Sequence, residues 1–210
     1  MFTGIVSHKA EVYSLEKSPN SDLLLILKLN SSINQQPTIG CSIACNGICL
    51  TLVKIKNIEQ STLLYFQASL ETIAKTTIGN WQPKQPINLE FSLKLGDELG
   101  GHLVLGHVDT TTEIFAIEKK NESWLFVFKK PNNQINLIAK KGSIAIDGVS
   151  LTVNDTDDSY FSVNIIQHTF LHTNFQFLQS KHLVNIEFDP LARYIANYLQ
   201  NQNLFYEKKH

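Results

Sequence analysis

Cys49 and Ser150 are the two side chains whose types and surroundings best fit covalent or proton-transfer chemistry. Each follows an Asx-Gly dipeptide, in Asn46-Gly47-Ile48-Cys49 and in Asp147-Gly148-Val149-Ser150, and the two segments lie 101 residues apart. A thiol and a hydroxyl at equivalent positions suggest that two formerly equal sites have diverged. The alternative is that Cys49 is a small buried apolar residue, which is the commoner role of a cysteine.

Two histidines lie close together in Gly100-Gly101-His102-Leu103-Val104-Leu105-Gly106-His107-Val108-Asp109. If this segment is a strand, His102 and His107 point to opposite faces, whereas His107 and Asp109 share a face. Chelation of one metal ion by both histidines is then disfavoured, unless Gly106 breaks the strand. An acid-base role is open to either histidine, and so is a structural role beside the glycines.

The three cysteines, Cys41, Cys45 and Cys49, all fall within nine residues. An odd number in one short stretch fits a reducing compartment better than a disulfide framework. On a helix this spacing would put three thiols on one face, but Asn46-Gly47 between apolar runs predicts a hairpin turn that separates them. No second cysteine pair exists to complete a tetrahedral site, so structural zinc is disfavoured.

Other polar residues near these positions have ordinary roles that compete with catalytic ones. Lys141, which precedes a glycine turn, and Asp147, at the Asx-Gly position, are both expected at turns on the surface, and Asp147 is expected to cap its own turn first. Thr51 and Thr152 are equivalent in the two halves, and their hydroxyls either bind a polar ring or satisfy a strand edge. The G-x-G-x-x-G, P-loop, H-E-x-x-H and G-x-S-x-G motifs are absent, which leaves a reaction without a cofactor, or binding alone.

The chain matches itself at an offset of about half its length, which indicates an internal duplication. Residues 42–51 match 143–152 at an offset of 101, residues 4–17 match 106–119 at 102, and residues 72–91 match 169–188 at 97. The three blocks keep the same order in both halves, and the offset changes only between them. Chance similarity of composition would not preserve this order.

Each half is predicted to form about six short strands, including 23–29, 42–45, 63–68 and 87–91 in the first half. Their alternating pattern and their Gly, Asn and Pro punctuation favour a small antiparallel barrel in each half. One short polar helix is predicted per half, at 71–77 and near 168–175. The expected domains are a barrel of residues 1–96, a barrel of residues 97–188, and a C-terminal helix and tail of residues 189–210.

The C-terminal helix has no counterpart in the first half. Asp189 is a good N-cap, and Pro190 suits the first helical position. An apolar stripe at helical spacing follows, made of Leu191, Tyr194, Ile195, Tyr198 and Leu199. The stripe packs either on the chain's own barrel or between subunits, and its place on an appended terminal helix favours subunit association.

The charge balance argues against nucleic acid and membranes as partners. The net charge is -1, from 18 Lys and Arg against 19 Asp and Glu, so no overall field attracts a polyanion. The amino terminus lacks a cationic segment followed by an apolar one, and no apolar run approaches the ~18 residues of a membrane-spanning helix. We expect a cytoplasmic protein with a small, neutral or weakly charged ligand.

Four stretches carry a specific resemblance to a known family. They are Met1-Phe2-Thr3-Gly4-Ile5-Val6, Asn46-Gly47-Ile48-Cys49-Leu50-Thr51, the stretch from Gly100-Gly101-His102 to Gly106-His107-Val108-Asp109, and the stretch from Lys141-Gly142 to Asp147-Gly148-Val149-Ser150-Leu151-Thr152. In this order and spacing the chain resembles riboflavin synthase of the duplicated-barrel type, from residue 1 to about residue 200.

The resemblance implies an all-β fold of two tandem six-stranded antiparallel Greek-key barrels and a C-terminal α-helix that gathers a homotrimer. The first barrel of one subunit would face the second barrel of a neighbour. The implied activity is that of a transferase: two 6,7-dimethyl-8-ribityllumazine molecules dismutate by a four-carbon transfer to riboflavin and 5-amino-6-ribitylaminouracil. No metal or redox cofactor is implied, and lumazine synthase is the implied protein partner.

The resemblance also implies which residues form the site. The residues for activation and proton transfer are Cys49, Ser42, His102, His107, Asp147 and Ser150, with Cys49 or a water it positions as the nucleophile. The first lumazine would contact Gly4, Ile5, Val6, Cys49, Leu50, Thr51, Gln67, Ala68, Ser69, Leu70, Glu71 and Thr72. The second would contact Gly106, His107, Val108, Lys141, Ser150, Leu151, Thr152, Asn164, Ile165, Ile166, Gln167, His168 and Thr169. Leu105, Cys45 and Gln167 depart from the residues usual in the family.

Two other functions compete with this one. A non-catalytic lumazine- or flavin-binding protein of the same fold would tend to lack the catalytic cysteine and part of the second pocket. The presence of Cys49, His102 and Ser150 therefore favours an enzyme. A flavin-dependent reductase on a related six-stranded barrel would need a nicotinamide site, for which the chain has no motif.

Overall fold

Each half of the chain closes into a six-stranded antiparallel barrel in the computed structural model, which describes residues 1–17, 22–30, 37–58, 60–131 and 137–207, with side chains to residue 200. The first barrel contains β1 (His8–Lys17), β2 (Leu23–Leu29), β3 (Ser42–Cys45), β4 (Ile48–Ile58), β5 (Ser61–Ala68) and β6 (Pro86–Phe91). The second contains β7 (Thr110–Lys120), β8 (Ser123–Lys129), β9 (Ser143–Ile146), β10 (Val149–Thr156), β11 (Tyr160–Ile166) and β12 (Leu183–Phe188).

The two barrels have the same strand order. Neighbouring strands run β1-β2-β5-β4-β3-β6 in the first barrel and β7-β8-β11-β10-β9-β12 in the second, and the last strand of each order pairs with the first. Strands that are neighbours in space but not in sequence, such as β2 and β5, are the mark of a Greek-key connection. The predicted all-β fold of two tandem barrels is confirmed.

The register is interrupted at equivalent places in the two barrels. A shift lies between Val12 and Ser14 in β1, and an equivalent one between Ile114 and Ala116 in β7. A second pair of shifts interrupts β4 and β10. Bulges of this kind bend and twist a strand, as closure of a small barrel requires. The duplication therefore includes the curvature as well as the strand order.

The predicted helices are shorter than expected, since each stretch divides into two pieces. α1 (Leu70–Lys75) and α2 (Gln167–His172) are each followed by a 3-10 helix, Thr77–Asn80 and Asn174–Phe177. The break after α1 is at Thr76, whose backbone is extended and whose hydroxyl accepts a hydrogen bond from the Ile78 amide. A threonine that caps the following turn in this way ends the preceding helix.

Each barrel has its own apolar core, formed by the inward-facing alternate residues of its strands. In the first barrel Leu25 and Leu27, two residues apart on β2, are both fully buried. The second core is aromatic, and Phe126 meets Phe175 edge-to-face with ring centroids 5.1 Å apart. Burial of each such side chain contributes ~1.5–3 kcal/mol, so both barrels have the means to stabilise themselves.

The barrels meet at the two Asx-Gly turns, which pack back to back. A Cβ atom on Gly47 would lie 2.7 Å from the Gly148 amide nitrogen, so only glycine fits this contact. Asparagines bridge the turns reciprocally: the Asn88 side chain donates to the Asp147 carbonyl at 3.0 Å, and the Asn185 side chain donates to the Asn46 carbonyl at 2.9 Å. The two halves are therefore related by a pseudo-twofold axis that runs through a buried polar cluster.

The C-terminal helix α3 (Pro190–Glu207) follows β12 directly, and the Leu191 amide donates to the Asp189 carboxylate at 2.9 Å, as the predicted N-cap requires. All five residues of the predicted apolar stripe are more than half exposed, so the stripe does not pack on the chain's own barrels. Within the parts of the chain that the structure describes, no helix has the length and apolar character needed to cross a membrane.

Candidate active site

The site is built around two crossing segments, residues 2–7 and 104–109, which precede the first strand of each barrel. The two segments pair with each other where they cross, through an antiparallel bridge in which Phe2 and Val104 exchange backbone hydrogen bonds of 2.7 and 3.1 Å. Beyond this bridge each segment continues to the opposite barrel. Val108 packs against the first core and Val6 against the second.

Each crossing segment brings a glycine onto the reactive side chain of the other barrel. The Cys49 amide donates to the Gly106 carbonyl at 2.8 Å, and the Ser150 amide donates to the Gly4 carbonyl at 2.8 Å. Both glycines have φ +77°, and a Cβ atom on either would lie 2.5 Å from the Cβ of its partner. A left-handed backbone without a side chain is thus required at both contacts.

This exchange corrects the expected composition of the two pockets. Gly4, Ile5 and Val6 were expected beside Cys49, and Gly106, His107 and Val108 beside Ser150, and both groupings are wrong. The sequence repeat cannot distinguish the two arrangements, because either segment is compatible with either barrel. Only the path of the chain in three dimensions decides between them.

Two buried glutamates hold the crossing segments in place. The Glu90 carboxylate accepts hydrogen bonds from the Thr3 and Gly4 amides at 2.6 and 2.9 Å. The Glu187 carboxylate accepts them from the Leu105 and Gly106 amides at 2.8 and 2.9 Å. Sequence reasoning missed both glutamates, although a charged residue at the same place in two matching apolar strands was a usable signal.

The two carboxylates differ because the residues at their segments differ. Burial raises the pKa of Glu187 to about 7, and the amides of Leu105 and Gly106 only partly oppose this rise. Burial also raises the pKa of Glu90, but there the Thr3 hydroxyl adds a hydrogen bond of 2.7 Å. Leu105 is the counterpart of Thr3 and has no hydroxyl to donate. Its departure from the family pattern therefore leaves the Glu187 carboxylate without the hydroxyl hydrogen bond that Glu90 has.

His102 and Ser150 form a close pair at the second site. The His102 Nδ1 atom lies 2.6 Å from Ser150 Oγ, a distance typical of a strong hydrogen bond. Burial lowers the pKa of His102, and the negative charge of Asp189 only partly opposes this, so the neutral form of the ring is favoured. Its Nε2 atom is buried and has no hydrogen-bond partner among the described residues.

A cleft of about 440 Å³ opens beside Cys49 at the first site. Its walls come from β4, from α1, from the second crossing segment and from α3. They include Ile48, Cys49, Glu71, Thr72, Lys75, Thr76, Gly106, His107, Val108, Asp109 and Arg193. The volume lies within the ~300–1,000 Å³ range of small-ligand sites, and one flat bicyclic ring fits a cleft of this size.

Residues 102–109 do not form the strand under which the two histidines were compared. Val104 alone makes a bridge, and Gly106 turns the backbone into the left-handed region. The argument that His102 and His107 point to opposite faces of one strand therefore does not apply. The two histidines are separated by the crossing itself, with His102 beside Ser150 and His107 in the Cys49 cleft.

The remaining predicted contact residues divide between exposed and core positions. Leu50, Ala68 and Ile165 are buried in the barrel cores, so only their backbone can meet a ligand. The half-buried residues are Thr72, Ser150, Leu151 and Thr169, and the exposed ones are Thr51, Gln67, Ser69, Leu70, Glu71, Lys141, Thr152, Asn164, Ile166, Gln167 and His168. Of these residues, Glu71 and Thr72 line the Cys49 cleft.

Asp147 is not the surface turn residue that the sequence predicted. Its carboxylate is fully buried and accepts hydrogen bonds from the Asn185 amide and the Asn174 side chain, each at 2.8 Å. Burial raises the pKa of Asp147 to about 7. Asp147 lines a separate cleft of about 370 Å³ between the barrels, which includes neither Cys49 nor Ser150.

Ser42 and Cys45 lie on β3, next to the Cys49 hairpin. Ser42 is half-buried and pairs in register with Thr51, and it does not line the Cys49 cleft. Cys45 is fully buried, and burial together with the nearby Cys49 raises its pKa well above the usual value. Cys45 therefore has the character of a packing residue.

Comparison with known proteins agrees with the internal duplication, because one family model matches both halves. Residues 3–92 and 105–189 each match the model of the lumazine binding domain family. The chain is 40% identical over 205 residues to a riboflavin synthase of Brucella abortus (strain 2308), across 96% of this chain and 100% of that protein. It is also 40% identical over 193 residues to a riboflavin synthase of Chlamydia muridarum (strain MoPn / Nigg), across 92% of each.

Solved structures share the fold. The crystal structure of LumP complexed with 6,7-dimethyl-8-(1'-D-ribityl) lumazine superimposes with a TM-score of 0.79, covering 90% of this chain and 99% of that chain at 22% identity. An identity this low is evidence for the barrel pair alone.

Proposed function

The chain belongs to the riboflavin synthase family, and on that premise we propose that each of its barrels holds one molecule of 6,7-dimethyl-8-ribityllumazine and that the two react. Four carbons pass from one lumazine to the other, giving riboflavin and 5-amino-6-ribitylaminouracil. The activity is that of a transferase. Two lumazines and the two products contain the same atoms in total, so the overall reaction needs no oxidant, reductant or other co-reactant.

The reciprocal contact of the crossing segments is the observation that carries this proposal. Cys49 with Gly106 and Ser150 with Gly4 form matching arrangements with the same 2.8 Å hydrogen bond and the same backbone geometry. A reaction between two identical molecules requires two sites of the same shape, and it requires different chemistry at each. The thiol at one site and the histidine-bound hydroxyl at the other meet both requirements.

The groups at the second site suit proton removal. The methyl group at C7 of one lumazine is acidic, because the ring delocalises the negative charge that remains. The Ser150 oxygen can take that proton as it passes its own hydroxyl proton to Nδ1 of His102, 2.6 Å away. Burial, which lowers the pKa of His102, favours the neutral ring that accepts a proton. We therefore propose that the Ser150 site holds the lumazine that becomes the carbanion.

The Cys49 cleft suits addition to the other lumazine. The thiol of Cys49, or a water that it positions, adds to C7 of the second ring, and His107 in the same cleft is placed to move the accompanying proton. The attached nucleophile leaves again as the new ring closes. The proposed roles of Ser42 and Asp147 are indirect, because the cleft includes neither side chain.

The two sites must face each other, and we propose that a homotrimer brings them together. The exposed stripe of α3 supplies the apolar surface for association, and the first barrel of one subunit would then meet the second barrel of its neighbour. Holding both rings in contact converts a bimolecular step into an intramolecular one, an effect that reaches ~7–11 kcal/mol when alignment is good.

The domain boundaries, the cellular location and the protein partner stay predictions. We place the domain boundaries at 96/97 and 188/189, in the linker after β6 and at the start of α3. Location in the cytoplasm and association with lumazine synthase are likewise proposed from the family alone.

The test is to incubate the purified protein with 6,7-dimethyl-8-ribityllumazine and no added cofactor. We expect riboflavin absorbance to appear with a ratio of one riboflavin to two lumazines consumed. A non-catalytic binding protein of the same fold would instead bind lumazine and leave it unchanged. Bound lumazine that never becomes riboflavin would refute the proposed activity.

A further inference from the structure

One cation from α3 reaches the Cys49 cleft. The Arg193 Nη2 atom lies 2.8 Å from the Asp109 Oδ2 atom, and both side chains are largely shielded from solvent, with exposures of 35% and 15%. The same Asp109 oxygen accepts a hydrogen bond of 2.9 Å from the Phe188 amide at the end of β12. Arg193 and Asp109 both line the cleft that contains Cys49.

The ion pair connects to Cys49 through the second crossing segment. Asp109 ends that segment, and its amide is fixed by the Ile186 carbonyl at 2.9 Å. Three residues earlier, the Gly106 carbonyl accepts the hydrogen bond from the Cys49 amide. The contacts thus run from α3 through the segment to the backbone of Cys49.

The equivalent contact is missing from the other site. At the offset of 102 the counterpart of Asp109 is Ser7, whose hydroxyl donates to the Leu89 carbonyl at 3.2 Å. A serine cannot form an ion pair, and the described linker after β6 contains no helix like α3. The duplication therefore kept the two crossing segments but attached only the one at Cys49 to a terminal helix.

Arg193 and the apolar stripe occupy opposite faces of α3. At 3.6 residues per turn, Arg193 lies about half a turn away from the centre of the stripe formed by Leu191, Tyr194, Ile195, Tyr198 and Leu199. One face of the helix thus meets the cleft, and the other face is exposed. A helix with these two faces can connect assembly to the geometry of the cleft.

We propose that Arg193 is a positioning residue that holds the second crossing segment against Cys49 and so couples α3 to the first of the two lumazine sites. This inference rests on the proposed function for the identity of the ligand, but not for the contact itself. Loss of the guanidinium leaves the Asp109 carboxylate with only the Phe188 amide as a partner among the described residues and loosens the segment over Cys49. The Ser150 site, with Ser7 in the equivalent place, is unaffected.

The test compares Arg193→Ala, Arg193→Gln and Arg193→Lys in the full chain. The first readout is the rate at which iodoacetamide alkylates Cys49, followed by peptide mass spectrometry, with the half-buried Cys41 thiol as an internal reference. We expect the Ala and Gln variants to alkylate Cys49 about tenfold faster, the factor that corresponds to ~1.4 kcal/mol of lost contact. The Lys variant keeps the charge and should restore most of the protection.

The second readout is steady-state kinetics with lumazine. The Ala and Gln variants should raise KM more than they lower kcat, because the change acts on the shape of one binding site. Asp109→Asn should have the same effect, and combining it with Arg193→Gln should add little. The control is Lys129→Gln, which breaks the ion pair between β8 and Glu113 of β7, because neither of these two side chains lines the Cys49 cleft.

The outcomes separate the two proposals. Cys49 alkylation in Arg193→Gln that equals the Lys129→Gln rate refutes the role of Arg193, and so does equal acceleration at Cys41. Dissociation of the assembly in Arg193→Gln with Cys49 still protected, measured by sedimentation velocity, also contradicts it. A wild-type chain that forms no riboflavin refutes the proposed function, while the alkylation rates still decide whether Arg193 positions the segment.

Discussion

Replacing Asp147 with asparagine should change how the stability of the protein depends on pH. The Asp147 carboxylate is fully buried at the junction of the barrels, and burial raises its pKa to about 7. The equivalent residue of the first half is Asn46, so a side-chain amide is already accommodated at the corresponding position. Asp147→Asn therefore removes the ionisable group and keeps the shape.

The size of the effect follows from the difference in pKa between the folded and unfolded chain. The pKa of Asp147 is about 7 when folded against 3.8 when unfolded, so the folded state binds the proton more tightly. This group therefore costs stability above pH 3.8, and the cost grows by ~1.4 kcal/mol per pH unit until it levels off near pH 7 at roughly 4 kcal/mol. Stability should rise as the pH falls through this window.

The asparagine has its own cost. Its amide group would replace the carboxylate oxygen that now accepts a hydrogen bond of 2.8 Å from the Asn174 side chain. Two donors would then face each other in a buried place, which costs ~1–3 kcal/mol. The variant should be less stable than the wild type near pH 4 and more stable near pH 8. The two curves should cross at roughly pH 4.5 to 6, where the cost of the wild-type carboxylate equals the cost of the asparagine.

The measurement is the free energy of urea unfolding from pH 4 to pH 8 at constant protein concentration. Glu187 also has a raised pKa and contributes its own pH dependence to the free energy of unfolding. That contribution should be the same in the wild type and in Asp147→Asn. Asn46→Asp is the matched control, because it places a carboxyl at the mirror position and should steepen the slope. Parallel curves for the wild type and Asp147→Asn would refute the reasoning.

Three further predictions address the site and its assembly. Cys49→Ser should lower riboflavin formation at least tenfold in an intact assembly, and an unchanged rate would make Cys49 a packing residue. Gly106→Ala should lower kcat/KM about a hundredfold, because its methyl group would displace the Cys49 backbone. The control is Gly40→Ala, since Gly40 also has a left-handed backbone but has open space around it. Equal losses in both variants would show that backbone strain alone is the cause. Truncation after Asp189 should give inactive monomers in sedimentation and riboflavin assays, and an active monomer would contradict a site shared between subunits.

Local patterns predicted the elements of this fold well. The repeat and the Asx-Gly turns located both β-hairpins, and the predicted strands 23–29 and 42–45 agree with β2 and β3. Such features depend on residues that are neighbours in sequence, so the sequence contains the information directly. The apolar stripe of α3 was predicted in the same way.

Contacts between the halves could not be predicted from those patterns. The exchange of Gly4 and Gly106 depends on which barrel each segment reaches, and duplicated sequences are equally compatible with both arrangements. Asp147 was placed at the surface because Asp-Gly usually marks an exposed turn. Its burial depends on the Gly47 turn and the Asn88 side chain of the first barrel, which reach it only when the barrels dock. The side chain of Asn174 and the amide of Asn185, which bind its carboxylate, lie 27 and 38 residues away in the same barrel.

The exchanged segments also bear on how such a chain could have arisen. Neither barrel by itself supplies the strap that covers its own reactive residue, so a half-length protein would leave its site uncovered. Two copies of that half could cover each other by trading their amino-terminal arms, in the same reciprocal geometry. Gene fusion would then have joined the two subunits of a dimer whose sites were already covered. After fusion the site in each half could change independently of the other.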